Sequence, residues 1–129
     1  MSEKSIFTKI IEGELPAHFV YKDKSVVAFM TNEPITRGHI LVVPKMQVDH
    51  IWDLPDDDYQ RLMSVAKLLG AHLREKLGAK RTIMAVEGFQ VPHVHVHLIP
   101  ANAELDNLER LETPSQDELA EVAKQLRLY

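Results

Sequence analysis

The most informative part of this 129-residue chain is Val91-Pro92-His93-Val94-His95-Val96-His97-Leu98-Ile99-Pro100, in which histidine alternates with aliphatic residues. Successive side chains of a β-strand point to opposite faces, so this pattern predicts a strand over residues 93–99 with all three imidazoles on one face. The aliphatic residues between them form the other face and can pack in a core. We therefore expect the imidazole face to line a functional site, the alternative being a polar face that arose by coincidence.

Strand patterns also precede this segment. Short runs of β-branched and aromatic residues predict strands over residues 19–21, 26–29, 40–43 and 81–86. Pro44 and Pro100 are expected to end the strands before them, because proline cannot donate a hydrogen bond to a sheet. The sequence therefore predicts an antiparallel meander of about five strands, in which the last two strands pair with each other.

Three amphipathic patterns predict helices on this sheet. The first lies within residues 4–13, and a long second helix runs from Pro55 through three aspartates to residue 77. Residues 101–114 look irregular, after which Ser115 and Glu118 match a capping box ahead of a helix over about residues 115–127. Together with the strands, these elements predict an α+β fold, with helices packed on the sheet and residues 1–129 in a single domain.

Composition excludes several classes of function. The chain has no cysteine, and its formal net charge of -4 comes from mixed acidic and basic residues without a basic stripe for nucleic acid. No apolar run approaches the roughly 18 residues of a membrane helix, and the N-terminus lacks an apolar signal core. We therefore expect a cytoplasmic protein that binds neither nucleic acid nor membranes.

Two kinds of chemistry suit a row of three imidazoles. In the first, a neutral imidazole attacks phosphorus and forms a covalent intermediate, which divides one displacement into two easier steps. The attacking ring needs one free nitrogen, and neighbouring rings can supply protons or hold phosphate oxygens. In the second, two histidines at alternate positions bind zinc or iron together with a third ligand. The spacing alone leaves both chemistries open.

Three segments of the chain resemble the histidine-triad (HIT) family. Residues 93–99 fit the family signature of three histidines alternating with apolar residues, and residues 5–16 and 34–45 match two further family blocks in the same order. The resemblance covers roughly residues 5–100 and leaves a C-terminal extension. It implies a homodimer whose sheets join across the interface, and it favours nucleophilic catalysis.

The resemblance also assigns roles to four histidines. His95 matches the nucleophile, His97 the residue that contacts the scissile phosphate and leaving group, and His93 an orienting residue behind them. His39 matches a fourth histidine that supports the triad. Family members split nucleoside phosphoramidates or dinucleoside polyphosphates, or transfer nucleotides. We therefore expect a purine nucleotide hydrolase or transferase that acts at the α-phosphate through a nucleotidyl-histidine intermediate and needs no cofactor.

The chain departs from the family pattern at several positions. Many bacterial relatives bind a structural zinc through two cysteines and a histidine at the positions of Ser5, Thr8 and Gln47, so we expect no metal. The aspartate that usually holds the ribose falls at Thr31, which makes Thr31 and the adjacent Asn32 the candidates for ribose binding. Gln90 is the candidate for a contact with the leaving group.

The remaining candidates are apolar. By the resemblance, Phe7, Ile10, Phe19 and Phe29 line the base pocket; the alternative is simple core packing. Trp52 is expected to pack between a strand and a helix, the alternative being a platform on which a base stacks. Two other functions stay open: a nucleotide-binding regulatory module with weak catalysis, and a metal-dependent enzyme that uses the histidines as ligands.

Overall fold

The computed structural model describes residues 3–129, so the first two residues of the predicted domain lie outside it. The three helices are α1 (Ile6–Ile11), α2 (Asp56–Leu77) and α3 (Gln116–Leu126). The five strands are β1 (Phe19–Lys22), β2 (Val26–Met30), β3 (Ile40–Pro44), β4 (Arg81–Ala85) and β5 (Val96–Ala101). Short 3-10 turns at Ile51–Asp53 and Leu105–Asn107 lie in the connections.

The strands form one antiparallel sheet in the spatial order β1-β2-β3-β5-β4. The first three strands are the predicted meander, and β4 pairs with β5 as expected. The meander stops there, because β5 rather than β4 lies beside β3. Helix α2 carries the chain across the sheet before β4 begins, so β4 becomes an edge strand. The α+β class with helices packed on an antiparallel sheet is thus confirmed.

Local sequence signals explain where the helices begin and end. Ser5 and Ser115 cap α1 and α3, each accepting a hydrogen bond from the backbone N–H three residues later, at 3.0 and 3.1 Å. Three aspartates fill the first turn of α2, where negative charge is stabilised by the helix dipole. That helix ends at Gly78, whose φ of +64° suits glycine. These interactions confirm the predicted helices.

The predicted strand over residues 93–99 is wrong at its beginning, because β5 starts only at Val96. The backbone N–H of His93 donates to Val91 O at 2.9 Å, and that of Val94 donates to Val48 O at 2.8 Å. Both groups therefore bond to loops rather than to a neighbouring strand. As a result, His93 and His95 lie in the segment leading into β5, and of the three triad histidines only His97 lies in β5.

The prediction that Pro100 ends this strand is also wrong, because β5 continues to Ala101. The Pro100 carbonyl accepts a hydrogen bond from Thr36 Oγ1 at 2.6 Å, so the polar edge of Pro100 faces the β3 side of the sheet. The pairing of β3 with β5 extends only to Leu98. Proline therefore removes no hydrogen bond from the ladder with β4, where Pro100 stands opposite Thr82.

The sheet separates two apolar clusters. The larger lies between the sheet and helices α2 and α3, and it includes Val96 and Leu98 of β5. The smaller lies on the opposite face and includes Phe7 and Ile10 of α1 together with Phe29 of β2. Because strand residues alternate in direction, His97 points to the α1 side of the sheet. The functional face is therefore the one that carries the short first helix.

The predicted packing of Trp52 between a strand and a helix is wrong, because this side chain is 84% exposed. Trp52 belongs to the 3-10 turn before α2, and its side chain lies on the surface rather than in the core. Met84 on the edge strand β4 is 52% exposed, so the apolar surface continues onto that edge. Within residues 3–129, no helix has both the length and the apolar content required to cross a membrane.

Candidate active site

The structure brings together all four predicted histidines. The ring centroids of His95 and His97 are 5.0 Å apart, and those of His39 and His97 are 5.2 Å apart. His93, His39 and His95 are 0%, 2% and 6% exposed, respectively. The edge of the Phe7 ring from α1 lies against His95, with 4.8 Å between centroids. The cluster is thus held between the sheet and the first helix.

A cavity of about 220 Å³ opens onto these rings, and we call it the triad cavity. Its lining comes from the histidine cluster, the β2–β3 connection, β4 and β5, the loop after β4 and the C-terminal extension: Thr31, Glu33, Ile35, His39, Ala85, Glu87, Gly88, Phe89, Gln90, His95, His97, Ile99, Leu105 and Arg110. Typical ligand pockets begin at roughly 300 Å³. The triad cavity therefore has room for a phosphate group and part of a nucleotide.

The hydrogen bond of His95 determines which of its nitrogens is free. Its Nδ1 lies 2.7 Å from the backbone carbonyl oxygen of His93, and a carbonyl can only accept. Nδ1 must therefore carry the proton and donate it. In the neutral form of the ring Nε2 is then unprotonated, and this ring lines the triad cavity. This is the tautomer that a nucleophilic imidazole requires.

A second chain of hydrogen bonds orients His97. The backbone N–H of Ile35 donates to His39 Nδ1 at 3.0 Å, so the proton of neutral His39 is on Nε2. His39 Nε2 then donates to His97 Nδ1, also at 3.0 Å. Because His97 Nδ1 accepts this bond, the single ring proton of neutral His97 is on its Nε2. The cavity is thus lined by one ring with a free acceptor nitrogen, His95, and one with a free N–H donor, His97.

Burial keeps the surrounding rings neutral. It lowers the pKa of His39 to about 3, and the proximity of His97 and Arg110 disfavours a positive charge on His39 by smaller amounts. Burial is also the main cause that lowers the pKa of His93 and of His97. Because histidine normally titrates near pH 6.5, these three rings are neutral at pH 7. The tautomers assigned from the hydrogen bonds therefore apply near neutral pH.

His93 belongs to a hydrogen-bond network that reaches α1. Its Nε2–H donates to Pro44 O at 2.8 Å, and its Nδ1 accepts from Ser5 Oγ at 2.6 Å. Gln47 Oε1 accepts from the Ser5 backbone N–H at 2.8 Å and from Thr8 Oγ1 at 2.7 Å. Both ring nitrogens of His93 are therefore occupied, and the ring is fixed behind His95.

The residues of this network stand at the positions where the resemblance places a structural zinc site of many bacterial relatives. Ser5, Thr8 and Gln47 present hydroxyl and amide oxygens, whereas zinc is held by cysteine, histidine or carboxylate ligands. These oxygens already bond to one another and to His93. Within residues 3–129, no group of three histidine, cysteine, aspartate or glutamate side chains is arranged to hold a metal ion. The residues at these positions do not fit zinc.

The predicted substrate-binding residues lie at different depths. Thr31 and Gln90 line the triad cavity. Phe7, Ile10 and Phe29 are buried in the smaller apolar cluster beneath the site, and the partly exposed Phe19 packs against it. Asn32 is not part of the cavity lining; its amide oxygen accepts a hydrogen bond from Gln116 of α3 at 3.4 Å.

A second cavity of about 260 Å³ adjoins His95 on the side of the sheet edge, and we call it the edge cavity. Its lining is largely apolar and includes Trp52, Tyr59 and Met84. His95, Glu87 and Gly88 line both cavities. His95 therefore lies between the triad cavity and the edge cavity and forms part of the wall of each.

Three charged residues of the triad cavity, Glu33, Glu87 and Arg110, were not predicted from the sequence. Glu33 follows Thr31 by two residues, and its backbone N–H donates to Thr31 Oγ1 at 3.2 Å. The sequence does contain a signal for this residue. Glu33 supplies a carboxylate two residues after Thr31, the position at which the resemblance places an aspartate. Arg110 comes from the irregular extension, where no periodicity or motif indicates which way a side chain points.

Comparison with known proteins identifies the family of this chain. Residues 12–104 match the sequence model of the HIT domain, and the chain belongs to the HIT family. It is 39% identical over 100 residues to an uncharacterised HIT-like protein of Methanocaldococcus jannaschii, covering 74% of this chain and 77% of that one.

Two further relatives extend the comparison. An adenosine 5′-monophosphoramidase of Saccharomyces cerevisiae is 32% identical over 104 residues, which is 80% of this chain and 66% of the yeast protein. The crystal structure of a HIT-like protein of Bartonella henselae, described as involved in cell-cycle regulation, has a TM-score of 0.87 and 26% identity, covering 98% of this chain and 96% of that one. The HIT family thus includes a nucleotide phosphoramidase.

Proposed function

We propose that this protein is a hydrolase or transferase that acts at the α-phosphate of purine nucleotides through a covalent intermediate on His95. The observation that carries the proposal is the 2.7 Å hydrogen bond from His95 Nδ1 to His93 O, which leaves Nε2 free as the nucleophile. The substrates are nucleoside phosphoramidates or dinucleoside polyphosphates. The similarity to the yeast phosphoramidase supports the first of these classes.

The reaction proceeds in two displacements. In the first, His95 Nε2 forms a bond to the α-phosphorus, and the bond to the leaving group breaks with its electrons on that group, which takes up a proton from solvent when it is an amine. In the second, water attacks the same phosphorus, the N–P bond breaks with its electrons returning to Nε2, and the water proton passes to solvent. Another acceptor in place of water gives nucleotidyl transfer.

The neighbouring groups stabilise the charges that develop. In the intermediate the His95 ring is positively charged, and the carbonyl of His93 accepts from its Nδ1–H. The free Nε2–H of neutral His97 donates to an oxygen of the reacting phosphate or the leaving group, and His39 fixes that donor through its own hydrogen bond. Preorganised donors of this kind cost no rearrangement at the moment of reaction.

The same proposal places the rest of the substrate. The base lies against the apolar cluster near α1, in which Phe19 is partly exposed and Phe7, Ile10 and Phe29 form the buried layer beneath. The ribose lies near Thr31 and Asn32, and Gln90 approaches the leaving group from the loop after β4. Thr31 and Gln90 support this arrangement because they line the cavity that contains His95.

A turnover panel without added metal tests the function. Purified protein is given adenosine and guanosine phosphoramidates and dinucleoside polyphosphates, and trapped protein is examined at neutral or alkaline pH by intact mass and peptide mapping. We expect turnover and a nucleotidyl adduct on His95. His95→Ala should lose both, whereas His18→Ala, a histidine outside both cavities, should retain them.

The other outcomes separate the alternatives. Modification mapped to His93 or His97, or full activity of His95→Ala, contradicts the assignment of the nucleophile. Nucleotide binding without turnover of any substrate identifies a regulatory module instead. Activity that disappears with a chelator and returns with a metal identifies a metal-dependent enzyme.

We further propose that the protein is a homodimer whose sheet continues across the interface through β4. This strand is at the edge of the sheet, and exposed edge strands are usually covered or paired. The exposed side chains of Met84 and Trp52 lie on the same side and supply apolar surface. Light scattering should give the mass of two chains, and Met84→Lys should reduce it. A wild-type mass of one chain at working concentration contradicts the proposal.

A further inference from the structure

Arg110 is a charged residue of the triad cavity that lies outside the recognised family domain. The HIT-domain match ends at residue 104, and Arg110 belongs to the extension between β5 and α3. This extension nevertheless returns to the histidines, because Leu105 and Arg110 both line the cavity with His39, His95 and His97. The extension thus adds a wall and a positive charge to the site.

A backbone hydrogen bond holds Arg110 at this position. The N–H of the next residue, Leu111, donates to Ile35 O at 3.3 Å. The N–H of the same Ile35 donates to His39 Nδ1. One residue of the β2–β3 connection therefore anchors both the extension and the ring that orients His97. The position of Arg110 is coupled to the catalytic geometry through Ile35.

The guanidinium of Arg110 is available to a ligand. Among residues 3–129, Arg110 has no salt-bridge partner, although two carboxylates, Glu33 and Glu87, line the same cavity. Arginine presents a planar set of donors that suits phosphate oxygens. Its charge also reaches the histidine cluster, since it contributes to the lowered pKa of His39. A cation on this wall attracts an anionic group that is bound next to the reacting centre.

We propose that Arg110 binds a second phosphate group of the substrate, in addition to the phosphate that reacts at His95. This inference rests on the proposed function, and it specifies nucleotides with at least two phosphates as the preferred substrate class. The second phosphate is either the next one in a polyphosphate chain or one carried on the ribose. Both have the same chemistry, and suitable ligands distinguish them.

The test compares three adenine nucleotides by isothermal titration calorimetry at fixed ionic strength. AMP carries one phosphate, adenosine 5′-(α,β-methylene)diphosphate adds one along the chain, and adenosine 3′,5′-bisphosphate adds one on the ribose. We expect one of the two-phosphate ligands to bind about tenfold more tightly than AMP, as a hydrogen bond between charged groups provides. The ligand that gains shows where the second phosphate lies.

Three variants connect the gain to Arg110. Arg110→Gln should remove the preference over AMP, whereas Arg110→Lys should retain part of it because the charge remains. Arg37→Gln removes an equal charge from an arginine that bonds to Gln125 and lies outside the triad cavity, so it should keep the full preference. Equal binding of all three nucleotides to the wild type, or a preference that survives Arg110→Gln, overturns the proposal.

Turnover of adenosine 5′-phosphoramidate by the wild type distinguishes the role proposed for Arg110 from the reaction proposed at His95. That substrate has only the reacting phosphorus, so its hydrolysis does not depend on a second phosphate. Turnover without a two-phosphate preference refutes the role of Arg110 alone. A preference that depends on Arg110, without turnover of any substrate in the panel, refutes the proposed reaction and leaves the binding role intact.

Discussion

The buried ring of His39 should make the stability of the protein depend on pH. Its pKa is about 3 in the folded protein and close to 6.5 when unfolded. Between these values the unfolded state binds more protons, so the free energy of unfolding decreases as the pH falls. The stabilisation from neutral His39 is fully present above pH 6.5 and is progressively lost down to about pH 3.

The two pKa values give the size of this effect. At pH 4.5 the unfolded ring is about 99% protonated and the folded ring almost unprotonated, which corresponds to a loss of about 2.5 kcal/mol relative to pH 7.5. The lowered pKa values of His93 and His97 act in the same direction. The contribution of His39 must therefore be isolated by substitution.

Urea unfolding followed by circular dichroism at pH 7.5 and pH 4.5, at one protein concentration, measures the loss. His39→Asn keeps an oxygen that can accept from the Ile35 N–H but cannot be protonated, so it should lose about 2.5 kcal/mol less than the wild type. His50→Asn changes an exposed ring and should behave as the wild type. If His39→Asn loses as much free energy as the wild type, the buried neutral His39 is not the source of the dependence.

Two further predictions use matched pairs of substitutions, measured by urea unfolding at pH 7.5. Gly38→Ala should cost about 2 kcal/mol, because Gly38 has a φ of +93° and the Leu77 side chain must move away from an added Cβ, whereas Gly78→Ala, at φ +64° with open space, should cost about 1 kcal/mol. Equal costs would exclude a steric role for Leu77. Ser5→Ala should cost about 1–2 kcal/mol more than Ser115→Ala, because both remove a helix cap but only Ser5 also bonds to buried His93. Equal losses would show that the bond to His93 adds no stability.

Much of the fold could be predicted because interactions between residues close in sequence determine where its helices begin and end. Ser115 caps α3 and Gly78 ends α2 through contacts within a few residues, so the sequence near each position contains the necessary information. The alternation of residues 93–99 likewise identified the histidines, although it placed the start of β5 three residues too early. That error arose because the N–H of His93 bonds to Val91 O in its own loop and that of Val94 bonds to the distant Val48 O, and periodicity carries no information about such partners.

The site depends more heavily on contacts between distant parts of the chain. His39 is 58 residues from its partner His97, and Ser5 is 88 residues from His93. Residue spacing cannot specify these pairs, and the HIT resemblance supplied their roles only as expectations. Neither residue spacing nor the HIT resemblance indicated Arg110, because it lies beyond the residues that the resemblance covers, in a segment without a helix or strand pattern. Its place in the cavity follows from the bond between Leu111 and Ile35.

The tautomer of His95 connects these distant contacts to the reaction. Its Nδ1 donates to a backbone carbonyl, that of His93, so the direction of the nucleophile depends on how the His93 backbone is held. The His93 ring is fixed on one side by Pro44 O and on the other by Ser5, which Gln47 bonds in turn. Ser5 and Gln47 thus help, through His93, to orient the ring of His95, the proposed nucleophile, and neither residue lines the triad cavity. These hydrogen bonds occupy both nitrogens of the buried His93 ring, and a ring fixed in this way can hold the proposed nucleophile in one orientation.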